Sequence, residues 1–428
     1  MTDATPPSPR NANYVLAVLF LGYVSNSVDR GILAFLNEPI RQEFHLNDTE
    51  LGLLGGLAFA LFYSVLGLPI AALADRTNRR NVLAISIALW SIATALCGAA
   101  QTYGALLAAR IGTAIGEAGG TPPSNALIAD YFPRERRATA LSIYALAIPI
   151  GAMLGSIGGG WANVYFGWRG TFVLVGVPGV LIALLLLLTV SEPPRTSTQK
   201  APSVPYVIKH LWGKASFRQI SLGAALHSFV FYGAANFGVS FLVRSHHMNT
   251  GEVGNWLALS NAIAAIGTFF GGYIADVLSR RHSDARWYTI IPGIAILGMV
   301  PFQFVTYLAN DVSVFIPALM VGAILNSVYF GPTGAMTQAL ATPRMRAVAA
   351  SVLLFIQTII GLSLGPLVAG GISDFLKPHY GANDSLRYAL VAISVVNVWS
   401  ALHYFLAARN AREDVAATET LVASSTAG

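Results

Sequence analysis

Apolar positions in this chain come in long unbroken runs, without the one-sided stripe of a soluble helix or the alternation of a strand. Twelve such runs can be read, at about 13–36, 50–73, 81–100, 104–128, 139–161, 168–190, 218–243, 252–278, 287–308, 314–339, 346–375 and 386–409. Each is near the roughly 20 residues that a helix needs to cross the hydrocarbon core, where every backbone polar group must be bonded within its own segment. The pattern predicts an all-α polytopic membrane protein of twelve transmembrane helices. The runs divide six and six around a polar stretch, SEPPRTSTQKAPSVPYVIKHLWGKASF. A six-helix bundle is therefore expected over 1–190, a linker over 191–217, a second bundle over 218–409 and a tail over 410–428. The Pro- and Ser-rich start of the linker reads as irregular. VPYVIKHLWGK reads either as a simple tether or as a short interfacial helix with Val207, Leu211 and Trp212 toward lipid and Lys209 toward water.

Composition agrees with this: of 428 residues 54% are hydrophobic and 11% charged, against roughly 25% charged in soluble domains. The polar leader MTDATPPSPRNA precedes a first run too long and too charged for a signal-peptide core, so that span is expected to stay in the mature chain. Lys and Arg concentrate near the termini and in the even-numbered connections. The odd-numbered ones hold only Arg41, Arg169, Arg244, Lys377 and Arg387. By the positive-inside bias both termini are cytoplasmic. The net charge of +6 follows from that bias and from contact with anionic membrane lipid, and calls for no nucleic-acid partner. Cys97 is the single cysteine and reads as a packing residue. His246-His247 lacks metal-ligand spacing, so no metal site is expected.

The halves repeat. Asp75, Arg79 and Arg80 recur as Asp276, Arg280 and Arg281, and Pro133-Arg134-x-Arg136 recurs as Pro343-Arg344-x-Arg346, followed by Gly151 and Gly155 as Gly361 and Gly365. Six spans of one orientation in each half form a parallel repeat about an axis along the membrane normal, which lets two bundles rock around a midplane site.

Four charges interrupt the apolar runs: Asp29 and Arg30 in the first, Arg110 and Glu117 in the fourth. A charge at the bilayer centre costs about 2.5 to 3.5 kcal/mol on insertion scales, so such residues face a protein interior and mark ion or substrate paths. Structural ion bridges between helices are the other reading. Arg110 and Glu117 are seven residues apart, on one face of a helix and separated by roughly 10 Å, too far for direct contact. Asp29 and Arg30 lie about 100° apart around their helix, so one faces the cavity and the other a neighbouring helix. A carboxylate that meets a guanidinium in one state only would bind and release a proton, and Arg30 or Arg110 could anchor a phosphate or carboxylate head. In the second half Tyr232, Asn236, Asn326 and Tyr329, with His227 nearby, could line an amphipathic ligand's path. Interhelical hydrogen bonding explains each of them singly.

Twelve spans with these loops resemble the major facilitator superfamily over essentially the whole chain. ALADRTNRR matches the family's Gly-x-x-x-Asp-Arg-x-Gly-Arg-Arg connection at Asp75, Arg76, Arg79 and Arg80, with Ala71 and Asn78 at the glycine positions. GGYIADVLSRR supplies Gly272, Asp276, Arg280 and Arg281. The resemblance implies that these charges form a cytoplasmic gate, with Asp75 near the N-terminal end of the eleventh span. GAMLGSIGGG resembles the glycine motif of antiporters with Ser156 in place of proline, and GLSLGPLVAGG keeps the proline as Pro366. Small residues four apart also serve close helix packing alone.

The first two spans, with Asp29-Arg30 and the Leu-Ala-Asp-Arg-x-Asn-Arg variant, resemble the Spinster branch more narrowly. That resemblance implies a proton-coupled carrier of lysophospholipids or sphingolipid-like molecules, with Asp29, Arg30, Arg110 and Glu117 in the coupling roles. It implies a monomer working by alternating access, driven by a proton gradient without a bound cofactor. A broad-specificity drug-efflux antiporter is the alternative. No metalloprotease helix, nucleophile elbow or paired protease aspartates occur in the sequence, so an enzyme is not expected.

Overall fold

The computed structural model describes residues 9–193 and 203–427, with a few side chains inside them, Asp75 among these, left outside the description. Helices α1 (Pro9–Phe44), α2 (Asp48–Gly52), α3 (Ala58–Arg76), α4 (Arg79–Ala99), α5 (Tyr103–Glu117), α6 (Thr121–Tyr131), α7 (Arg134–Ala145) and α8 (Ala147–Thr189) lead to a short α9 (Val204–Trp212). Then follow α10 (Ala215–His246), α11 (Thr250–His282), α12 (Trp287–Leu308), α13 (Val312–Ser327), α14 (Phe330–Ala339), α15 (Arg346–Gln357), α16 (Ser363–Ser394) and α17 (Val396–Ala427). No strand occurs among the described residues.

Nine stretches of the described residues are long and apolar enough to cross a membrane. Two of them, 135–189 and 346–422, each contain two crossings joined at a glycine in the left-handed region, Gly167 (φ 66°) and Gly381 (φ 74°). The fourth crossing is broken into α5 and α6 at 118–120, which leaves neither piece long enough alone. Twelve crossings result, as the apolar runs predict.

Contacts divide the chain into two compact units, one of Met1–Thr198 with Gly238–Leu259, the other of Gln199–Phe237 with Ser260–Gly428. The 238–259 stretch, placed by sequence in the second bundle, groups with the first unit. In that unit α1 runs along α8, and α4 packs on α5 and α8, around Leu19, Leu83, Ile87, Trp90, Leu127 and Leu186. In the second unit α12 packs on α13, α16 and α17, and Phe217, Ile296, Met336, Leu353 and Tyr404 share a core.

The sequence repeat is a repeat of packing. A Cβ on Gly151 of α8 would lie 2.4 Å from the Ser27 Cβ of α1, and one on Gly155 would lie 3.2 Å from the Val28 Cα. In the second unit a Cβ on Gly361 would lie 2.5 Å from the Ser228 Cβ of α10, and one on Gly365 would lie 2.3 Å from the Phe229 carbonyl. Ser27-Val28 and Ser228-Phe229 are the corresponding pairs, so each half holds the same crossing at the same glycines. This register also pairs Asp29 and Arg30 with Val230 and Phe231, and so the second unit carries no counterpart of the first-span charges.

The linker differs from the interfacial reading. Residues 194–202 lie outside the described residues, and 204–212 forms a helix as expected, but Val207 and Leu211 are fully buried in the second unit's core. Only Trp212 of the three remains exposed. The apolar face of α9 meets α15, and a protein surface within reach buries it as well as lipid would.

The segment expected as a tail continues α17 as helix along the second unit. Lys214, itself buried, donates to the carbonyls of Leu340 (2.9 Å) and Asp414 (3.2 Å) and to the Thr418 hydroxyl. Asp414 accepts from the Ser216 backbone N–H at 2.9 Å, capping the start of α10. Burial among such groups lowers the Lys214 pKa from its ordinary value, with Asp414 acting against the shift.

Candidate functional site

The four intramembrane charges meet in two ion pairs between α1 and α5. Asp29 turns inward, 2% exposed. It accepts from the Thr94 hydroxyl of α4 and from Arg110 Nη1 at 3.2 Å. Arg30, one residue on, also meets α5, and its Nε donates to Glu117 Oε2 at 2.7 Å. One of Asp29 and Arg30 is expected from the sequence to face the cavity and the other a neighbouring helix; both pair with α5, and Asp29 is the enclosed member. No ion pair joins Arg110 to Glu117 among the described residues.

The two pairs differ in access. Asp29 and Arg110 are closed in, with side chains 2% and 3% exposed, whereas the Arg30 side chain is 38% exposed and its partner Glu117 0%. Arg30 is the face that the site presents outward. Between the arginines lies Phe59 of α3, with its ring centre 5.8 Å from the Arg30 guanidinium and 5.5 Å from that of Arg110. Tyr63, stacked on Phe59, lies 4.6 Å from Arg30. Aromatic faces hold guanidinium groups without neutralising them. Charge within the cluster balances, as burial demands. Its hydrogen bonding is incomplete, since Arg110 Nε and Glu117 Oε1 are buried without a hydrogen-bond partner. Thr94, Phe59 and Tyr63 are neighbours of these charges that the sequence did not single out, because a threonine or an aromatic in an apolar run carries no signal of its own.

In the second unit the candidate residues are scattered over several helices. Asn236 is buried and Tyr232 half-buried on α10, with the Tyr232 ring edge-on to Phe231. Tyr329 sits between α13 and α14 with its ring 4.5 Å from that of His227. Asn326 is half-buried, and its backbone carbonyl lies 3.3 Å from His227 Nε2. His227 Nδ1 lies 3.1 Å from the Asn397 side-chain oxygen, and Asn397 donates to Gln303 at 3.0 Å. Interhelical bonding therefore accounts for His227.

The expected gate residues do different things in the two units. Arg79 pairs with Asp130 of α6, and the backbone N–H groups of Arg79 and Arg80 donate to Glu192 at 3.2 and 2.9 Å. Arg80 also donates to the Val190 carbonyl at 3.0 Å. Asn78, at a position where the broad motif has glycine, caps α4 by accepting from the Asn81 N–H at 2.9 Å. Arg76 is exposed, and the Asp75 side chain lies outside the described residues. In the second unit Arg280 and Arg281 are exposed, and Asp276 accepts from the Tyr288 hydroxyl at 2.7 Å. The tighter clasp is Asp284, which accepts from Arg412 at 2.6 Å and from Arg286 at 2.9 Å. Hydrogen bonding by Arg412 above all holds its carboxyl well below the usual carboxylate range; burial, next in size, acts against it, and Arg286 adds to the lowering. Asp130, Glu192 and Asp284 were missed, since an acid at the end of an apolar run looks like an ordinary loop charge.

At the far end of α1 a second cluster is built wholly within the first unit. Arg244, from the 238–259 segment, is 6% exposed, and it bonds Glu38 at 2.6 Å and Asp48 at 2.7 and 2.9 Å. The glycine run of α8 serves the same segment. A Cβ on Gly160 would lie 2.4 Å from the Thr250 carbonyl, and one on Gly254 would lie 2.3 Å from the Ser156 carbonyl.

A sequence profile of the Major Facilitator Superfamily matches residues 19–366. Over 415 residues the chain is 34% identical to an MFS-type efflux pump of Mycolicibacterium smegmatis, covering 95% of each protein. It is 28% identical over 400 residues to human protein spinster homolog 1, covering 87% of this chain and 75% of that protein. Its fold is similar to the inward-facing, unoccupied crystal structure of a bacterial homolog to the human lysosomal transporter Spinster, with a TM-score of 0.88 and 32% identity over 95% of this chain and 99% of the other.

Proposed function

The chain belongs to the Major Facilitator Superfamily, as a transporter of the Spinster type, and on that premise we propose that it is a proton-coupled carrier of an amphipathic molecule with an anionic head, such as a lysophospholipid or a sphingolipid-like substrate. The observation that carries this reading is the Arg30–Glu117 pair, an outward-facing guanidinium bonded to a carboxylate with no exposed surface. Protonation of Glu117 removes the charge that Arg30 answers. The guanidinium then offers its fork to a phosphate or carboxylate of the substrate, while Phe59 and Tyr63 receive the adjoining apolar part. Loss of the head group returns Arg30 to Glu117 and expels the proton. Asp29 and Arg110, enclosed with Thr94, form a second pair whose separation would link the same proton to helix movement. The carrier works by alternating access as a monomer in a bacterial cytoplasmic membrane, with both termini inside, and the gradient is its energy source.

Gradient-driven uptake and counterflow of a labelled lysophospholipid by purified protein in sealed vesicles tests this. Uptake that ignores an imposed pH gradient would remove the coupling, and absence of counterflow would remove the substrate class. A broad-specificity efflux antiporter is the second reading, supported by the likeness to the mycobacterial efflux pump. Saturable export of a panel of cationic dyes, without lysophospholipid counterflow, would favour it.

A further inference from the structure

Interhelical bonding holds His227 in place, but it asks the ring for two protons. The ring is fully buried on α10, inside the second unit. Its Nδ1 lies 3.1 Å from the Asn397 side-chain oxygen of α17, and its Nε2 lies 3.3 Å from the Asn326 backbone carbonyl. Both neighbours are oxygens that accept and cannot donate. The Asn397 nitrogen is already committed, because it donates to Gln303 Oε1 of α12 at 3.0 Å. A neutral imidazole carries one N–H, so one of the two contacts would set a lone pair against a lone pair. An imidazolium carries two and satisfies both.

The two nitrogens are not equivalent. Asn326 stands at the end of α13, where the span breaks at 328–329 before α14 begins, and the last carbonyls of a helix lack intrahelical donors. A main-chain carbonyl cannot turn away from Nε2, so that nitrogen keeps its hydrogen. The Nδ1 side is adjustable. If Asn397 turns its amide over, Nδ2 donates to a bare Nδ1 and Oδ1 faces Gln303, which is half-buried and can turn its own amide to donate. The two orientations of this amide pair thus fit the two protonation states of one ring nitrogen. The titratable group that faces the ring is Tyr329, from the 328–329 break, with ring centres 4.5 Å apart. Tyr404 of α17 is bonded to Thr333 at 2.8 Å, and Gly361 and Gly365 cover the adjoining Ser228 and Phe229. None of these neighbours is a carboxylate, so a proton on the ring meets no counterion among them and is readily given up. In the register that pairs Ser27 with Ser228, His227 stands at the position of Asn26, nearly one helical turn before the position of Asp29.

We propose that His227 is a proton-binding site of the second unit, with Nδ1 the nitrogen that takes the proton and the Asn397–Gln303 amide pair the switch that reads it. Uptake forms one N–H bond at Nδ1 with a proton from a hydronium ion, leaves a water behind and adds one positive charge to the ring. Release reverses this, and no other covalent bond changes. Among the ring's partners Asn326 and Tyr329 keep exposed surface, and the proton passes on their side. The second unit, which has no counterpart of Asp29 and Arg30, then holds a titratable group of its own. The site is independent of the coupling roles given above to Asp29 and Glu117.

Solid-state nitrogen NMR spectra of the purified full chain, isotope-labelled at the histidine rings and recorded across pH, test this without a transported substrate. His227→Gln identifies the His227 signals among those of the eight histidines. The expected result is a neutral ring protonated at Nε2 at alkaline pH, which becomes imidazolium on acidification while the chain stays folded. Asn397→Asp replaces the switch with a carboxylate that only accepts. It should tighten proton binding by about tenfold or more, read as a midpoint at least about one pH unit higher. Gln303→Glu, at a half-buried position one residue removed from the ring, holds the Asn397 nitrogen to itself and should move the midpoint the same way. A ring that stays neutral, or stays imidazolium, at every pH where the chain is folded would overturn the site. A neutral form protonated at Nδ1, or a midpoint that neither variant moves, would overturn the amide switch.

Discussion

Arg244 and Asp48 meet through a two-pronged contact, Nη1 to Oδ2 at 2.9 Å and Nη2 to Oδ1 at 2.7 Å, with the same guanidinium also bonding Glu38. The three side chains are 4 to 6% exposed, so removing the guanidinium takes the shared cation from two buried carboxylates, of which Glu38 keeps Arg41 at 3.1 Å. Breaking a buried pair of this kind costs about 3–5 kcal/mol. Arg244→Ala is expected to lower the thermal unfolding midpoint of the detergent-purified protein clearly. Combining it with Glu38→Gln and Asp48→Asn should recover much of the loss. A single variant as stable as the parent would show that the cluster holds nothing together.

Asp29→Asn retains volume but removes the titratable group that Thr94 and Arg110 enclose. Gradient-driven transport of lysophospholipid should fall by about tenfold or more, while counterflow at equal pH survives, because exchange needs no net proton movement. Arg110→Lys should also be impaired, since an ammonium lacks the planar fork. Driven transport at the parent rate in both variants would assign the pair to structure alone.

The Asp284 clasp carries a pH signature. Its carboxyl is held below the ordinary value of 3.8, first by Arg412 and then by Arg286. A lowered folded-state pKa gives stability that is present above the unfolded value and lost as pH falls toward the folded one. The unfolding temperature should therefore drop as pH is taken below about 3.8, and the Asp284→Asn protein, already less stable at neutral pH, should lose less over that range. Parallel pH curves for the two proteins would contradict the clasp.

Two glycines of α8 separate packing from mere smallness. A methyl on Gly160 would press into the Thr250 carbonyl, whereas one on Gly158 meets nothing within 4 Å. Gly160→Ala should destabilise by about 1–3 kcal/mol. Gly158→Ala should be neutral or slightly stabilising through helix propensity. Equal thermal midpoints for the two variants would return the glycine run to an unexplained motif.

Much of the architecture was legible in the sequence because lipid imposes a one-dimensional constraint. A segment that cannot bond its backbone to neighbours must be a helix of bilayer length, so the twelve apolar runs become twelve crossings. The repeat was legible for a similar reason, since Gly151 and Gly155, and their partners Gly361 and Gly365, mark where one backbone must touch another. The four charges inside spans announced themselves through the cost of placing them there. What α1 and α5 do with those charges was decided only in three dimensions. Helical periodicity said that Asp29 and Arg30 diverge, but not that Asp29 would be the enclosed one, because that depends on Thr94 arriving from α4. Val207 and Leu211 made an amphipathic helix legible, while the surface that covers it depended on α15, far away in sequence. Arg244, Glu38 and Asp48 looked like scattered end-of-span charges, and their union had no local signature. Local sequence carries the free energy of crossing a membrane residue by residue, whereas an ion pair between distant segments exists only once packing has brought both of its members to the same place.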